Sequence, residues 1–531
     1  MPAPRAPYVC LNCRFRHGLT TRRSLRNFTT TATRRGEVLR PATAPKQTPD
    51  VKHIRQNAEL YSKNCIERNY AAHADSPFKI QQLSEEAKRL DHELKEPRAR
   101  VKQLEKSIAK LAAQKDGNSD TDASQQELAA LRQEAQKLKD ESHAMTTRKT
   151  DCVEEIQRLA LSLPNLSSAE TPVGDDPKLV KYINFDPENP PSWVKNPNLS
   201  SSRSHVTIGT SLNLIDFTSS ATSTGWGWYF LTNEGALLEH ALVQYAISVA
   251  LRRGWKVVSP PSIVYSYIAE ACGFQPRDQH NEQQIWAIEQ SEKDKASGKP
   301  QRSLAGTAEI PLAAMYAGRD IDAAELPIKL VGASRCYRAE AGARGVDTKG
   351  LYRVHEFTKV ELFAWADNVP EESGKSEDRP TSEALFDELL SIQTEILTSL
   401  NLPCRVLEMP TTDLGASASR KRDIEALFPS RLRSTTPNNN PSDLDLETAW
   451  GELTSASICT DYQSRRLGTR ARGGGIKDAR FPHTVNGTAV AVPRVIAAIL
   501  ENGWDEERRG VVVPEVLRGY MGGVDVIGGR K

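Results

Sequence analysis

Residues 334–363 read SRCYRAEAGARGVDTKGLYRVHEFTKVELF. The stretch opens on Arg338-Ala339-Glu340, crosses a polar, Gly-bearing loop at 341–350, and closes on an alternating run of Tyr352, Val354 and Glu356, then Phe357, Val360 and Leu362. Two strand-like runs around a Gly-rich, cation-bearing loop predict an antiparallel hairpin. Charge gathers where such strands simply pack: Arg338, Glu340, Arg353, His355, Glu356, Lys359 and Glu361. A solvated surface hairpin accommodates charge, but Cys336, Phe357 and Phe363 in the same run put part of it indoors. Buried charge needs a partner or a ligand.

On either side of the hairpin lie further short signals. Asn233 to Arg253 is amphipathic, with Leu237, Leu238, Ala241, Leu242, Tyr245, Ala246, Val249 and Ala250 at helical spacing. Gly254 ends it, and a strand at 255–259 runs into Pro260-Pro261. Residues 304–311 read LAGTAEIP, and a helix is predicted at 381–400. Farther on come ETAWGELTSASICTDYQSRRLGTR (447–470) and VNGTAVAVPRVIAAILENGW (485–504). In the latter a strand breaks at Pro493 and a helix begins with Arg494 in its first turn. A cation is unusual there, because the helix dipole favours anions at that end, and an anionic ligand would account for it. Two polar tracts, 365–382 and 429–446, read as mobile surface insertions. Neither a P-loop nor a dinucleotide-binding Gly fingerprint follows any strand, and Gly415-Ala-Ser-Ala-Ser419 lacks the GxSxG of a nucleophile elbow.

The clearest periodicity lies nearer the N-terminus. Ile80, Leu83, Ala87, Leu90, Leu94, Pro97, Val101, Leu104, Ile108 and Leu111 alternate spacings of three and four, and Leu128 to Leu163 repeats the rule. That is the seam of a coiled coil. Turn formers at 115–124 fold it into an antiparallel helical hairpin. Folding about the midpoint pairs Leu94 with Met145, Pro97 with Ser142 and Leu90 with Lys149, so the seam loses apolar character at one level. Pro97 removes a helical hydrogen bond there, and a kink is expected. Beyond it, Arg98, Arg100, Lys102, Lys106 and Lys110 face only Glu105, enough local charge to hold a phosphate backbone. A dimerisation coiled coil with a solvated basic face is the alternative. Asp50 to Tyr70 is expected to be a short polar helix ahead of the arm.

The chain of 531 residues suggests two to four domains. Its formal charge of +2 excludes general polyelectrolyte binding, so any nucleic-acid contact is local. Residues 1–40 hold nine arginines and one acid, Glu37. Arg-rich, hydroxyl-rich and acid-poor is transit-peptide composition, in preference to a basic RNA-binding arm. Cleavage is expected near 30–45, and nothing is long enough to span a membrane. Cys10 and Cys13 form a CxxC without a second, so a zinc site is poorly supported. The other cysteines are scattered and fit buried free thiols.

These pieces, in this order, resemble seryl-tRNA synthetase, a class II aminoacyl-tRNA synthetase, in an organellar form. GWKVVSPP (254–261) is similar to class II motif 1, CYRAEAG with TKGLYRVHEFTKVELF to motif 2, and NGTAVAVPRVIAAILEN to motif 3. Thr307-Ala308-Glu309 matches the family's TxE loop, with CTDYQSRR (459–466) and VPEVLRGYM (513–521) as further matches. The resemblance covers about residues 50–525. It implies an α+β fold, an antiparallel sheet flanked by helices and preceded by a coiled-coil hairpin. The implied domains are a transit peptide (1–45), a tRNA-binding arm (46–170) and a catalytic domain (171–531). It implies ATP-dependent ligation of L-serine to serine tRNA through seryl-adenylate, with Mg²⁺, in a homodimer of the mitochondrial matrix. Arg338 would grip the α-phosphate and Arg494 the γ-phosphate. Phe357 would stack on adenine beside Val354, with Ala339 and Glu340 on the nucleotide side. Glu452 would hold Mg²⁺, with Leu453, Thr454 and Ser455 nearby. Thr307, Ala308, Glu309, Arg338, Glu361 and Thr488 would bind serine, and Arg98, Arg100, Lys102, Lys106 and Lys110 the tRNA. Ile458, Pro493 and Pro97 depart from the family pattern.

Overall fold

A computed structural model describes residues 40–114, 122–195, 203–274, 284–340, 350–368, 380–434, 444–473 and 479–529. The arm consists of α1 (Ser76–Glu93), α2 (Lys95–Gln114) and α3 (Asp122–Ser162), with α3 lying against both of the others. The expected turn falls largely on 115–121, outside the described residues. Helix α1 stops at Leu94, three residues before Pro97. The proline supplies no N–H and its ring opposes the carbonyl four residues back, so the helix cannot run straight through. Leu94 itself is fully buried against the seam.

Charge closes the seam from its edges. Glu86 meets Arg148 at 2.7 Å, Arg100 meets Glu134 at 2.9 Å and Glu105 meets Lys139 at 2.8 Å. Lys149, expected opposite Leu90, pairs with the neighbouring Asp91. At the root, Ile54, Cys65, Ile80, Ile156 and Leu159 form a small core. The polar segment ahead of the arm makes two helices, Val51–Gln56 and Ala58–Glu67, broken at Asn57. Buried arginines fasten the root to the body. Arg68 donates to the carbonyls of Asn165 and Gly415, and Arg466 donates to those of Leu161 and Leu163 at the end of α3. The bond to Leu161 occupies a carbonyl in the last turn of α3, where a helix leaves carbonyls without partners.

The body is built on an eight-stranded sheet. Its strands are β1 (Lys178–Ile183), β2 (Lys256–Val257), β3 (Ile328–Tyr337), β4 (Glu356–Ala366), β5 (Cys404–Glu408), β6 (Arg420–Leu427), β7 (Trp450–Thr460) and β8 (His483–Ala491). Their spatial order is β1-β5-β6-β7-β8-β4-β3-β2, antiparallel throughout except for the β2–β3 pair at one edge. The expected hairpin is β3–β4, in register from Ile328↔Trp365 to Tyr337↔Glu356.

One face of the sheet is covered by α4 (Asn233–Arg252), α5 (Ser382–Ser399) and α6 (Val492–Asn502). Side chains alternate faces along a strand. Val360, Leu362 and Ala364 of β4 therefore enter the helix-packed core with Leu238, Leu242 and Ile496. The odd positions, Phe357, Lys359 and Glu361, point to the opposite face.

The two polar tracts are shorter than expected as insertions. Trp365 and Ala366 are buried at the end of β4, and Leu432 packs with Leu427 and Trp450. Apolar residues at their margins return the chain to the core, and residues 369–379 and 435–443 lie outside the described set. Among the described residues, all six cysteines are buried free thiols. No described helix is long and apolar enough to cross a membrane.

Candidate active site

On the open face of the sheet lies a cavity of about 510 Å³, counted with its solvent-filled mouth. Its walls come from four pieces distant in sequence: Arg338 and Glu340 after β3, Tyr352 to Lys359 leading into and along β4, Glu452, Leu453 and Ser455 of β7, and Thr488 to Arg494 across the β8–α6 junction. Antiparallel pairing explains their meeting. Glu361 lies beside Thr488 on β8, and β8 pairs in turn with β7.

Arg494 is held at the head of α6 by three groups. Its Nε donates to the Tyr352 carbonyl (3.1 Å) and its NH1 to the Glu452 carbonyl (3.1 Å), with the Glu452 carboxylate at 3.2 Å. The guanidinium lies 4.6 Å from the Tyr352 ring centre, a cation–π geometry. Pro493 occupies the first turn of α6, where its missing N–H costs nothing, and so leaves Arg494 facing the cavity. Burial pushes the Glu452 carboxyl upward, but Arg494, Lys421 and Arg338 outweigh it and hold it well below the usual carboxylate range. The Glu452 side chain is 38% exposed. It therefore presents an ionised carboxylate to the cavity.

Behind Glu452, Asp423 is buried and has one carboxylate oxygen without a hydrogen-bond partner among the described residues. Burial drives its pKa up against the opposing charge of Lys421, 2.9 Å away.

At the opposite wall, the guanidinium of Arg338 sits 5.4 Å over the Phe357 ring, and its Nε reaches the Gly306 carbonyl at 3.4 Å. The Arg338 N–H donates to the His355 carbonyl at 2.9 Å, which closes the hairpin. Glu340 has a positive φ of 49° and pairs with Arg353 at 3.3 Å. The Ala339 N–H donates to the Gln284 carbonyl.

Past the floor of the cavity lies a buried acidic end. Thr307, Ala308, Glu309 and Glu361 are all buried and do not line the cavity itself. Gln463 (2.6 Å) and Asn486 (2.9 Å) both donate to one oxygen of Glu309. Burial and the neighbouring Glu361 raise the Glu309 carboxyl to about 7. Lys359 bridges cavity and floor. Its ammonium pairs with Glu361 and donates to the Thr488 hydroxyl at 3.2 Å. Thr454 is buried with its hydroxyl unpartnered among the described residues.

The fold thus brings together Arg338, Glu340, Val354, Phe357, Glu452, Leu453, Ser455, Thr488 and Arg494 around one cavity. Thr307, Ala308, Glu309 and Glu361 sit beneath it. Arg98, Arg100, Lys102, Lys106 and Lys110 are all exposed on α2, far along the arm. Arg100 is engaged with Glu134 and Arg98 with the Thr146 hydroxyl. Sequence reasoning assigned no site role to Lys359, Tyr352, Gln463 or Asn486. Lys359 carried a signal, since it falls between Phe357 and Glu361 at strand period. Gln463 and Asn486 carried none of their own, because only the β7–β8 pairing brings them to Glu309.

Residues 50–167 match the seryl-tRNA synthetase N-terminal domain, and residues 294–503 match the tRNA synthetase class II core domain (G, H, P, S and T). The chain is 37% identical over 485 residues to the mitochondrial serine–tRNA ligase of Saccharomyces cerevisiae, covering 89% of this chain and 94% of that one. It is 38% identical over 471 residues to the mitochondrial enzyme of Schizosaccharomyces pombe, covering 88% and 87%. Among solved structures it resembles seryl-tRNA synthetase from Pyrococcus horikoshii complexed with ATP, with a TM-score of 0.71 and 28% identity over 91% of this chain and all of that one. With both domains matched and identity sustained over nearly nine-tenths of its length, the chain belongs to the seryl-tRNA synthetases of class II.

Proposed function

We propose that this chain joins L-serine to serine tRNA at the expense of ATP, through seryl-adenylate, for mitochondrial translation. The observation that carries the reading is one cavity walled by two half-buried arginines, Arg338 and Arg494, with the buried acids Glu309 and Glu361 beneath it. Attack of a serine carboxylate on ATP concentrates negative charge on the α-phosphate. Two fixed guanidiniums on opposite walls stabilise that charge with no reorganisation at the moment of reaction. Arg338 serves the α-phosphate and Arg494 the γ-phosphate. Phe357, already under a guanidinium, offers its ring to adenine beside Val354, with Ala339 and Glu340 on the nucleotide side.

Glu452 and Ser455 suit Mg²⁺. They are oxygen donors, the carboxylate is kept ionised by Arg494, and no set of three or more His, Cys, Asp or Glu forms a closed cage among the described residues. Magnesium favours such open sites, where it keeps water and substrate phosphates as ligands. The ion would neutralise phosphate charge. Leu453 completes that wall, with Thr454 buried beside it.

Thr307, Ala308 and Glu309 take the serine ammonium with Glu361, and Thr488 reads the hydroxyl. Lys359 occupies the Thr488 oxygen as a donor, which leaves the Thr488 proton free to donate to substrate. A site that hydrogen-bonds a hydroxyl rejects alanine, whose methyl leaves those groups unpaired.

Residues 46–170 form the tRNA-binding arm, with Arg98, Arg100, Lys102, Lys106 and Lys110 toward the phosphate backbone, and 171–531 form the catalytic domain. Leu251 and Val257 are exposed apolar residues of α4 and the edge strand β2, and Ile263 follows close behind in the chain. They suit burial in a homodimer. Residues 1–45 direct the chain to the mitochondrial matrix. Within that range, Arg40 stacks on Tyr267 and Ala44 packs on the body.

The test is serine-dependent ATP–pyrophosphate exchange, followed by charging of serine tRNA with alanine as competitor. A well-folded protein without exchange would sink the reading.

A further inference from the structure

Glu501 lies near the C-terminal end of α6, where the helix dipole disfavours a carboxylate, and its side chain is 0% exposed. Such a group persists only if donors surround it. Four do. The His205 N–H (3.1 Å) and Nδ1 (2.7 Å) reach Oε1, the Ser430 hydroxyl reaches Oε1 at 2.7 Å, and the Ser430 N–H reaches Oε2 at 2.9 Å.

The other ring nitrogen of His205 accepts the Leu351 backbone N–H at 3.1 Å. A backbone N–H only donates, so Nε2 carries the lone pair and the ring proton sits on Nδ1, toward Glu501. The chain passes hard against this ring. Gly350 has φ +76°, and a Cβ there would lie 2.1 Å from His205 Nε2. The next residue, Tyr352, takes Arg494 on its carbonyl and under its ring. Tyr352, Arg353 and Val354 then line the nucleotide end of the cavity.

We propose that His205, oriented by Glu501, is a positioning residue that locks the Gly350–Tyr352 backbone to α6 and so fixes the spacing between that wall and Arg494. His205, Glu501 and Leu351 do not line the cavity. The clamp ties the cavity's two cation-bearing walls together through Glu501, His205 and Leu351, and this assignment of consequence rests on the cavity being the ATP site. The acidic serine end is held elsewhere, by Thr307–Glu309 on a separate segment and by Glu361 deep in β4, where it is paired with β3 and β8.

The test compares His205→Phe, Gly350→Ala and His205→Gln in the full chain. Phenylalanine keeps ring volume but offers neither donor nor acceptor. Alanine at 350 displaces the ring from the other side. Glutamine places an amide oxygen where Nε2 accepts. The expected result for His205→Phe and Gly350→Ala is a KM for ATP in pyrophosphate exchange about tenfold higher, the scale of one lost buried hydrogen bond. The KM for serine and kcat should stay within about twofold, as the serine end is untouched. The Leu351 amide should lose hydrogen-exchange protection, and His205→Gln should restore both readouts. A uniform loss of kcat with both KM values unchanged would mark a merely structural role and overturn the proposal, as would Leu351 protection that survives His205→Phe. A wild type without serine-dependent exchange would overturn the functional reading instead, while Leu351 protection would still decide the clamp.

Discussion

Arg494 illustrates how much one side chain can depend on its setting. It holds two carbonyls, one carboxylate and one aromatic face, a set that needs the planar five-donor fork of guanidinium. Arg494→Lys should therefore lower kcat/KM for ATP in pyrophosphate exchange by at least about 100-fold, the scale of losing one preorganised charge contact. The serine KM should change little. Glu309 gives a pH prediction. Burial first, then Glu361, raises its carboxyl to about 7, above its ordinary 4.5. Only the ionised form attracts the serine ammonium. As pH falls below 7 the carboxyl protonates, and the KM for serine should rise by up to about tenfold per unit. The stability linkage has the opposite sense. The folded state holds this proton more tightly than the unfolded chain, so this group's contribution is fullest below pH 4.5 and is lost as pH rises through 7. Glu309→Gln should flatten the serine pH profile, and a profile unchanged by that substitution would remove Glu309 from ammonium binding.

At the scale of elements, the arm divides into a root and a tip. The root is fastened by Arg68 and Arg466 and by the small core around Ile80 and Ile156. Among the described residues, the tip beyond Leu94 makes no such contact with the body. Replacing residues 95–144 by a short Gly-Ser turn should leave pyrophosphate exchange within about twofold and lower kcat/KM for tRNA charging by more than about 100-fold, given the number of cations removed. Loss of exchange in a folded shortened chain would contradict the separation of roles. Lys102, Lys106 and Lys110 make no ion pair among the described residues, whereas Arg100 is shared with Glu134. Replacing the three lysines by Gln should weaken tRNA binding and flatten its salt dependence by about 2 to 3 in logarithmic slope.

For the whole molecule, Val257 is exposed on the two-residue edge strand β2, and Leu251 near the end of α4 and Ile263 beyond β2 are exposed apolar residues as well. Open sheet edges with apolar neighbours invite pairing. Sedimentation should report a dimer. Val257→Glu combined with Ile263→Glu should yield monomers that charge tRNA poorly, and a wild type that sediments as a monomer at micromolar concentration would refute the interface.

Local patterns in the chain dictated the main elements, and the order of its motifs carried the family resemblance. Three-four spacing dictated the arm, because only a helix returns apolar residues to one stripe at that interval. Pro97 announced a break, and Tyr352–Phe363 announced a strand whose charges needed partners. Arg338 and Arg494 stood out because each sits beside a signal that is local in sequence, a charged hairpin and a helix start, whereas Glu452 entered only through the family resemblance. What only the tertiary structure decided was which distant groups share a space. Gln463 and Asn486 meet Glu309 from another helix and strand, Lys359 links Glu361 to Thr488, and His205 reaches across to Glu501 and Leu351. The tracts at 365–382 and 429–446 looked wholly solvated, yet Trp365 and Leu432 are buried, because burial depends on what packs against a residue and not on the polarity of its neighbours in the chain. Strand pairing joins positions more than a hundred residues apart, and no local pattern records the register that brings them together.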